Sequence, residues 1–151
     1  MKYIHACNLV GLENLLNEDK KETYIQNGDY LCCSSIECND FLHKEFLIMI
    51  DGIAARKFDG DIGSIGMNPK NTEYDEIHVE GEFEVLGLYV VDNNSFDLFN
   101  YAKAIEYCLD ILEINIELIN ATTEQKELID KYREEIQNLS DNEWNKLFEI
   151  E

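Results

Sequence analysis

From Glu76 to Val85 the chain runs Glu-Ile-His-Val-Glu-Gly-Glu-Phe-Glu-Val, with polar and apolar positions in strict alternation. A period of two is the pattern of a β-strand with unlike faces, because successive side chains point to opposite sides. Beyond Val85 the polar register turns apolar at Leu86, Leu88 and Val90. The second half of this strand is then apolar on both sides and needs covering. The cover follows in sequence. Ser95 is a helix-start signal, and Leu98, Ala102, Ile105, Leu109 and Leu112 form one apolar stripe behind it. Glu113 to Ile119 alternates again, with Ile114, Ile116 and Leu118 on one face. Strand, helix and strand together predict a β-α-β crossover with parallel pairing.

The flanking segments fill out an α+β (or α/β) fold. Tyr3 to Leu9 reads as a first strand, and a short helix after Gly11 places Leu12, Leu15 and Leu16 on one side. Asn27-Gly28-Asp29, between Tyr24-Ile25-Gln26 and Tyr30-Leu31-Cys32, predicts a hairpin, since Asn-Gly supplies the positive φ angles of a tight turn. Phe46–Ile50 and Ile53–Phe58, parted by Asp51-Gly52, predict a second hairpin; a helix from Asn39 to Gly52 competes with it. Residues 59 to 74, with Gly60, Gly63, Gly66 and Pro69, read as a long loop. Thr122 with Gln125 and Ser140 with Glu143 are capping-box signals for two C-terminal helices. With 151 residues, the expectation is one domain spanning residues 1–151, with a mixed sheet of about five to seven strands, one crossover and helices packed at the C-terminal end.

Charge limits what such a domain can bind. Thirty-two acids against twelve bases give a formal net charge of −20. Residues 71 to 120 hold twelve acids and a single base, Lys103. So negative a chain is a poor ligand for nucleic acid or for an anionic membrane. No segment approaches the length of a membrane span. The five cysteines, Cys7, Cys32, Cys33, Cys38 and Cys108, form no C-x-x-C pair and follow no secretory leader pattern. A cytoplasmic setting with cysteines as small buried groups is expected.

The sharpest candidate site is the polar face of residues 76–85. Glu76, Glu80, Glu82 and Glu84 stand at every second position with His78 among them, about 6.5–7 Å apart along a strand. Phosphates along a nucleic-acid strand have a broadly similar spacing, so a glutamate row can occupy basic sites built for phosphate. A solvated outer face, or an acidic edge that discourages strand pairing, is the plainer alternative. Asp75, Tyr74 and Asp92 flank the row and complete the partner-binding set. Tyr89, Tyr101 and Trp144 are further aromatic candidates, the last two also fitting buried stripes.

Metal and nucleophile signals are weaker. Asp59-Gly60-Asp61 has the D-x-D spacing of a calcium or magnesium ligand pair, but Gly63 and the lack of a following glutamate break the EF-hand pattern. Cys33 and Cys38 lack a second pair for zinc. A nucleophilic cysteine with His5, His43 or His78 has no local signature. No catalytic residue, metal site or cofactor is therefore assigned, and a binding protein is expected rather than an enzyme. The expected partner is a basic protein, and small acidic immunity proteins against nuclease toxins are the analogy in size and charge. A phage nucleic-acid mimic acting on a restriction enzyme or an RNA-guided nuclease is the alternative of the same class. A metal-dependent hydrolase using His78, Asp59 and Asp61 is the alternative of another class.

Overall fold

The computed structural model describes residues 1–26, 28–34, 36, 45–58, 76–91 and 97–148. Their centre is a long antiparallel pair, β3 (Phe46–Phe58) against β4 (Glu76–Tyr89). β1 (Lys2–Cys7) pairs with the other edge of β3, and β2 (Tyr30–Cys33) with the other edge of the start of β4, both antiparallel. β5 (Leu118–Ile119) joins the far end of β4 in parallel, at Leu88 and Tyr89. The order is therefore β1-β3-β4-β2, with β5 beside β4. The sheet also curls on itself. Ile4 and Ser34 exchange both backbone hydrogen bonds, 2.8 and 2.7 Å, joining the outer edges of β1 and β2.

The helices close this curled sheet. In α1 (Leu9–Leu16), Asn8 caps the first turn by accepting from the Gly11 amide, and Leu9, Leu12 and Leu15 are buried. The sequence places a strand at Tyr24–Gln26, but the chain there is helical, in α2 (Glu18–Gln26). Asn17 starts this helix by accepting from the Asp19 and Lys20 amides, and Glu18 and Asp19 stand at its positive end. Gly28, at φ 72°, turns the chain from helix into β2 rather than between two strands.

The second expected hairpin is a single strand. Asp51 and Gly52 run straight through β3, because both of its edges are occupied there: Lys2 lies opposite Asp51, and Phe83 opposite Gly52. Phe46 to Ile50 are all buried, so this stretch is covered on both faces, and the helical alternative is excluded over 46–52. The loop predicted at 59–74 lies outside the described residues.

The crossover is present as β4–α3–β5, but its return strand is only Leu118–Ile119, where the alternation over Glu113–Ile119 predicts a longer one. Helix α3 (Leu98–Tyr107) continues into a π-helical turn, Cys108–Leu112, before the chain returns to β5. Asp97 caps it, accepting from the Phe99 amide at 2.9 Å; Ser95 lies outside the described residues. Tyr101 reaches from α3 into the sheet, accepting from the Leu47 amide (3.2 Å) and donating to the Tyr89 carbonyl (2.7 Å). Both capping boxes form, at the starts of α4 (Thr123–Gln137) and α5 (Asp141–Leu147). Helices α3 and α4 are tied by a buried carboxylate: Glu106 accepts from Arg133 Nε at 2.7 Å and from Gln137 Nε2 at 2.9 Å. The protein is a single α+β domain with a mixed curled sheet and its C-terminal helices packed on it.

Candidate partner-binding face

The expected face rests on unbroken alternation along β4, and the strand bends twice. Val79 lies opposite Ala54 and Phe83 opposite Gly52, so four steps of β4 match two steps of β3. The excess is taken up around Gly81, whose φ of 74° is the left-handed geometry of a β-bulge. A second shift, between Met49 and Ile50, leaves Leu86 in excess. The face of Glu84 therefore continues to Gly87 and Tyr89, whereas Leu86, Leu88 and Val90 do not share it as sequence parity implies. Leu88 and Val90 are buried; Glu82 and Glu84 are exposed.

The glutamates accordingly divide. Glu82 and Glu84 point to solvent, and Glu80, beyond the bend, is half-buried. His78 is buried, its ring stacked under Tyr30 at 3.8 Å and 12°. Glu76 begins β4 opposite Phe58. Tyr74, Asp75 and Asp92 lie outside the described residues, as do Asp59 and Asp61. Among the described residues no group of three His, Cys, Asp or Glu is placed to hold a metal ion.

Three residues that the sequence reading does not select join the exposed face. Asp51 lies directly opposite Glu84, so two carboxylates face each other across the ladder. Ile53, 79% exposed, stands on β3 opposite the bent segment Glu80–Glu82. Tyr30, 47% exposed, lies opposite Glu80. Register is what brings them together. Asp51 and Ile53 are about 30 residues from Glu82 in sequence, and the Asp-Gly between them reads as a turn until its pairing is known. For Tyr30 the alternation of Tyr30-Leu31-Cys32-Cys33, exposed and buried by turns, was an available signal.

Positive charge meets this face at its margins. The Met1 ammonium donates to Asp51 at 2.7 Å, and that hydrogen bond and charge hold the Asp51 carboxyl below its ordinary range. Lys2 is the cross-strand neighbour of Asp51 on its other side. The Lys21 ammonium sits 5.1 Å from the centre of the Phe83 ring, on the strand's opposite face. Arg56 is the ladder partner of His78 near the start of β4, a neighbour that sequence proximity does not show. No ion pair between described residues engages Glu80, Glu82 or Glu84.

The remaining candidates are structural. Tyr101 is core, Tyr89 is half-buried with its hydroxyl accepting from Asn120 at 3.3 Å, and Trp144 packs on Phe148 at 4.5 Å. Cys7, Cys33 and Cys108 are buried, and Cys32 is exposed. Burial pushes the Cys108 thiol up to about 12, and burial with the neighbouring Cys32 raises Cys33, opposite to what a nucleophile needs. His5 Nδ1 lies 2.7 Å from the Cys32 carbonyl oxygen. No helix among the described residues is long and apolar enough to cross a membrane. No protein-family model, no curated protein and no solved structure matches this chain.

Proposed function

We propose that this protein is a cytoplasmic acidic inhibitor that neutralises a basic protein partner, of the kind an immunity protein performs against a nuclease-type toxin. The observation that carries the reading is the cluster of exposed Glu82 and Glu84 with Asp51, which lies opposite Glu84 across the ladder, beside the exposed Ile53. Carboxylates about 7 Å apart along a strand repel by roughly 0.6 kcal/mol even at the dielectric of water. A cationic surface reverses the sign of that interaction. It also speeds encounter: steered association reaches about 10⁸–10⁹ M⁻¹s⁻¹ at low salt, against about 10⁵–10⁶ without steering. In the complex, lysines and arginines pair with Glu80, Glu82 and Glu84 in charge-assisted bonds. Ile53 and Tyr30 supply desolvated contact between and beside them, as apolar and aromatic groups do at interface centres.

The test uses the triple variant Glu80→Lys, Glu82→Lys, Glu84→Lys, with circular dichroism as the control for folding. Proteins captured from the source lysate are purified singly, and their nuclease activity is measured with one equivalent of wild-type or variant protein. The expected result is a basic nuclease silenced by the wild type, with an association rate that falls as salt rises, and untouched by the variant. Equal inhibition by the folded variant removes this face from the proposal. Competition by duplex DNA for the same surface separates active-site mimicry from binding beside the active site.

A further inference from the structure

A second surface lies on the helical side, built from none of the residues of the β4 face. Phe99 of α3, Ile136 of α4, Leu139 of the following turn and Leu147 of α5 line the apolar floor of an open groove of about 500 Å³. That is the size of a ligand-binding cleft. Its rim carries Glu135, Glu143 and Lys146, two carboxylates against one ammonium. The Glu143 carboxylate is fixed in place: it accepts from Ser140 Oγ at 2.8 Å and the Ser140 amide at 3.2 Å, and these bonds hold its acidity above that of a free glutamate. Glu135 is exposed and enters no ion pair with a described residue. Past Glu143 and Lys146 the surface continues into a polar groove of about 590 Å³ flanked by Asn142 and Asn145.

We propose that this groove docks a basic amphipathic segment of another protein, its apolar side chains on Phe99, Ile136, Leu139 and Leu147 and its cations at Glu135 and Glu143. Amphipathic helices engage apolar grooves in this way. The continuation lined by two asparagine amides suits a peptide that runs on past the apolar floor, and is wasted on a small apolar molecule. A second copy of this chain, at formal net charge −20, meets the acidic rim with like charge.

The probe is a labelled helical model peptide of leucine and lysine, with leucines at i, i+3, i+4 and i+7. Anisotropy measures its binding. Emission from Trp144, the only tryptophan, locates it, because Trp144 shares α5 with the groove wall. Expected results are saturable binding with a Trp144 response, weakened roughly tenfold or more by Leu139→Ser with Leu147→Ser. Glu135→Lys, which touches no core position, also weakens it, and Glu82→Lys with Glu84→Lys leaves the Trp144 response in place. Three results overturn the proposal. One is equal affinity for a lysine–serine peptide of the same charge, which means general attraction to an acidic protein. Another is equal affinity for a leucine–glutamine peptide, which removes the cation preference. The third is binding that ignores both groove variants or leaves Trp144 unchanged. None of these bears on the exposed face of β4, so the two proposals fail separately.

Discussion

The hydroxyl of Tyr101 is the clearest place to test how the crossover holds the sheet. The ring is 1% exposed and packs at 6.1 Å on Phe46. Its oxygen accepts from the Leu47 amide and donates to the Tyr89 carbonyl, two backbone groups at the paired end of β3 and β4. Tyr101→Phe keeps the ring and opens no appreciable cavity, so its cost lies in those two bonds. Each typically contributes about 1 kcal/mol, and a buried group left without a partner loses about 1–3 kcal/mol instead. The expected loss is about 3 kcal/mol, which for a chain of this length lowers Tm by roughly 6–12 °C. Urea titration followed by circular dichroism is the assay, with an unchanged slope as the sign that only stability moved. Alkaline titration adds an independent check. Burial raises the Tyr101 pKa above the ordinary tyrosine value. Its contribution is then whole below about pH 10, shrinks as pH rises beyond that, and is absent from the variant. A loss below about 1 kcal/mol would falsify the assignment, because it would mean that the strand ends satisfy each other once the hydroxyl is gone.

Three other substitutions probe the same framework. At Gly87 a Cβ would lie 2.6 Å from the Glu117 carbonyl oxygen and 3.0 Å from Ile119 Cδ1, so Gly87→Ala should cost about 1–3 kcal/mol and unprotect the Leu88 and Val90 amides in hydrogen exchange, the two that bond to Glu117 and Ile119. Arg133→Met should cost about 3–5 kcal/mol by stranding the buried Glu106 carboxylate, and Glu106→Leu less, since Arg133 is 28% exposed and can turn to water; a double-mutant cycle that shows no coupling would contradict the pairing. Ser140→Ala removes the larger of the two bonds that lower the Glu143 pKa, the one from the hydroxyl, and leaves the one from the residue 140 amide. In the wild type the stabilisation of α5 is present above the ordinary glutamate range and fades as pH falls through the lowered value, so Trp144 emission should show an acid transition that is smaller in the variant.

How much of this was legible in the chain follows from the range of the interactions. The capping boxes at Thr122 and Ser140 and the stripe of α3 are local, set within a turn or two, and stand where their patterns put them, whereas the return strand expected over Glu113–Ile119 depends on pairing with β4 and forms only at Leu118 and Ile119. Asn27-Gly28 reads as a hairpin in a local window, although Asn17 commits the preceding residues to a helix; the positive φ at Gly28 is present, but it ends a helix rather than a strand. Asp51-Gly52 failed as a turn because β1 and β4 hold it from both sides, which no window on β3 contains. The site follows the same logic. Exposed Glu82 and Glu84 were visible as alternation, whereas Asp51, Ile53 and Tyr30 join them only through pairing between distant strands. The bend at Gly81 then decides the electrostatics. It sets half-buried Glu80 and buried His78 apart from Glu82 and Glu84, so the exposed negative surface is narrower than the sequence implies and lies across two strands rather than along one. Under the proposed function such a patch suits a compact basic knob, since a long phosphate-like row needs the unbroken register that the bulge removes.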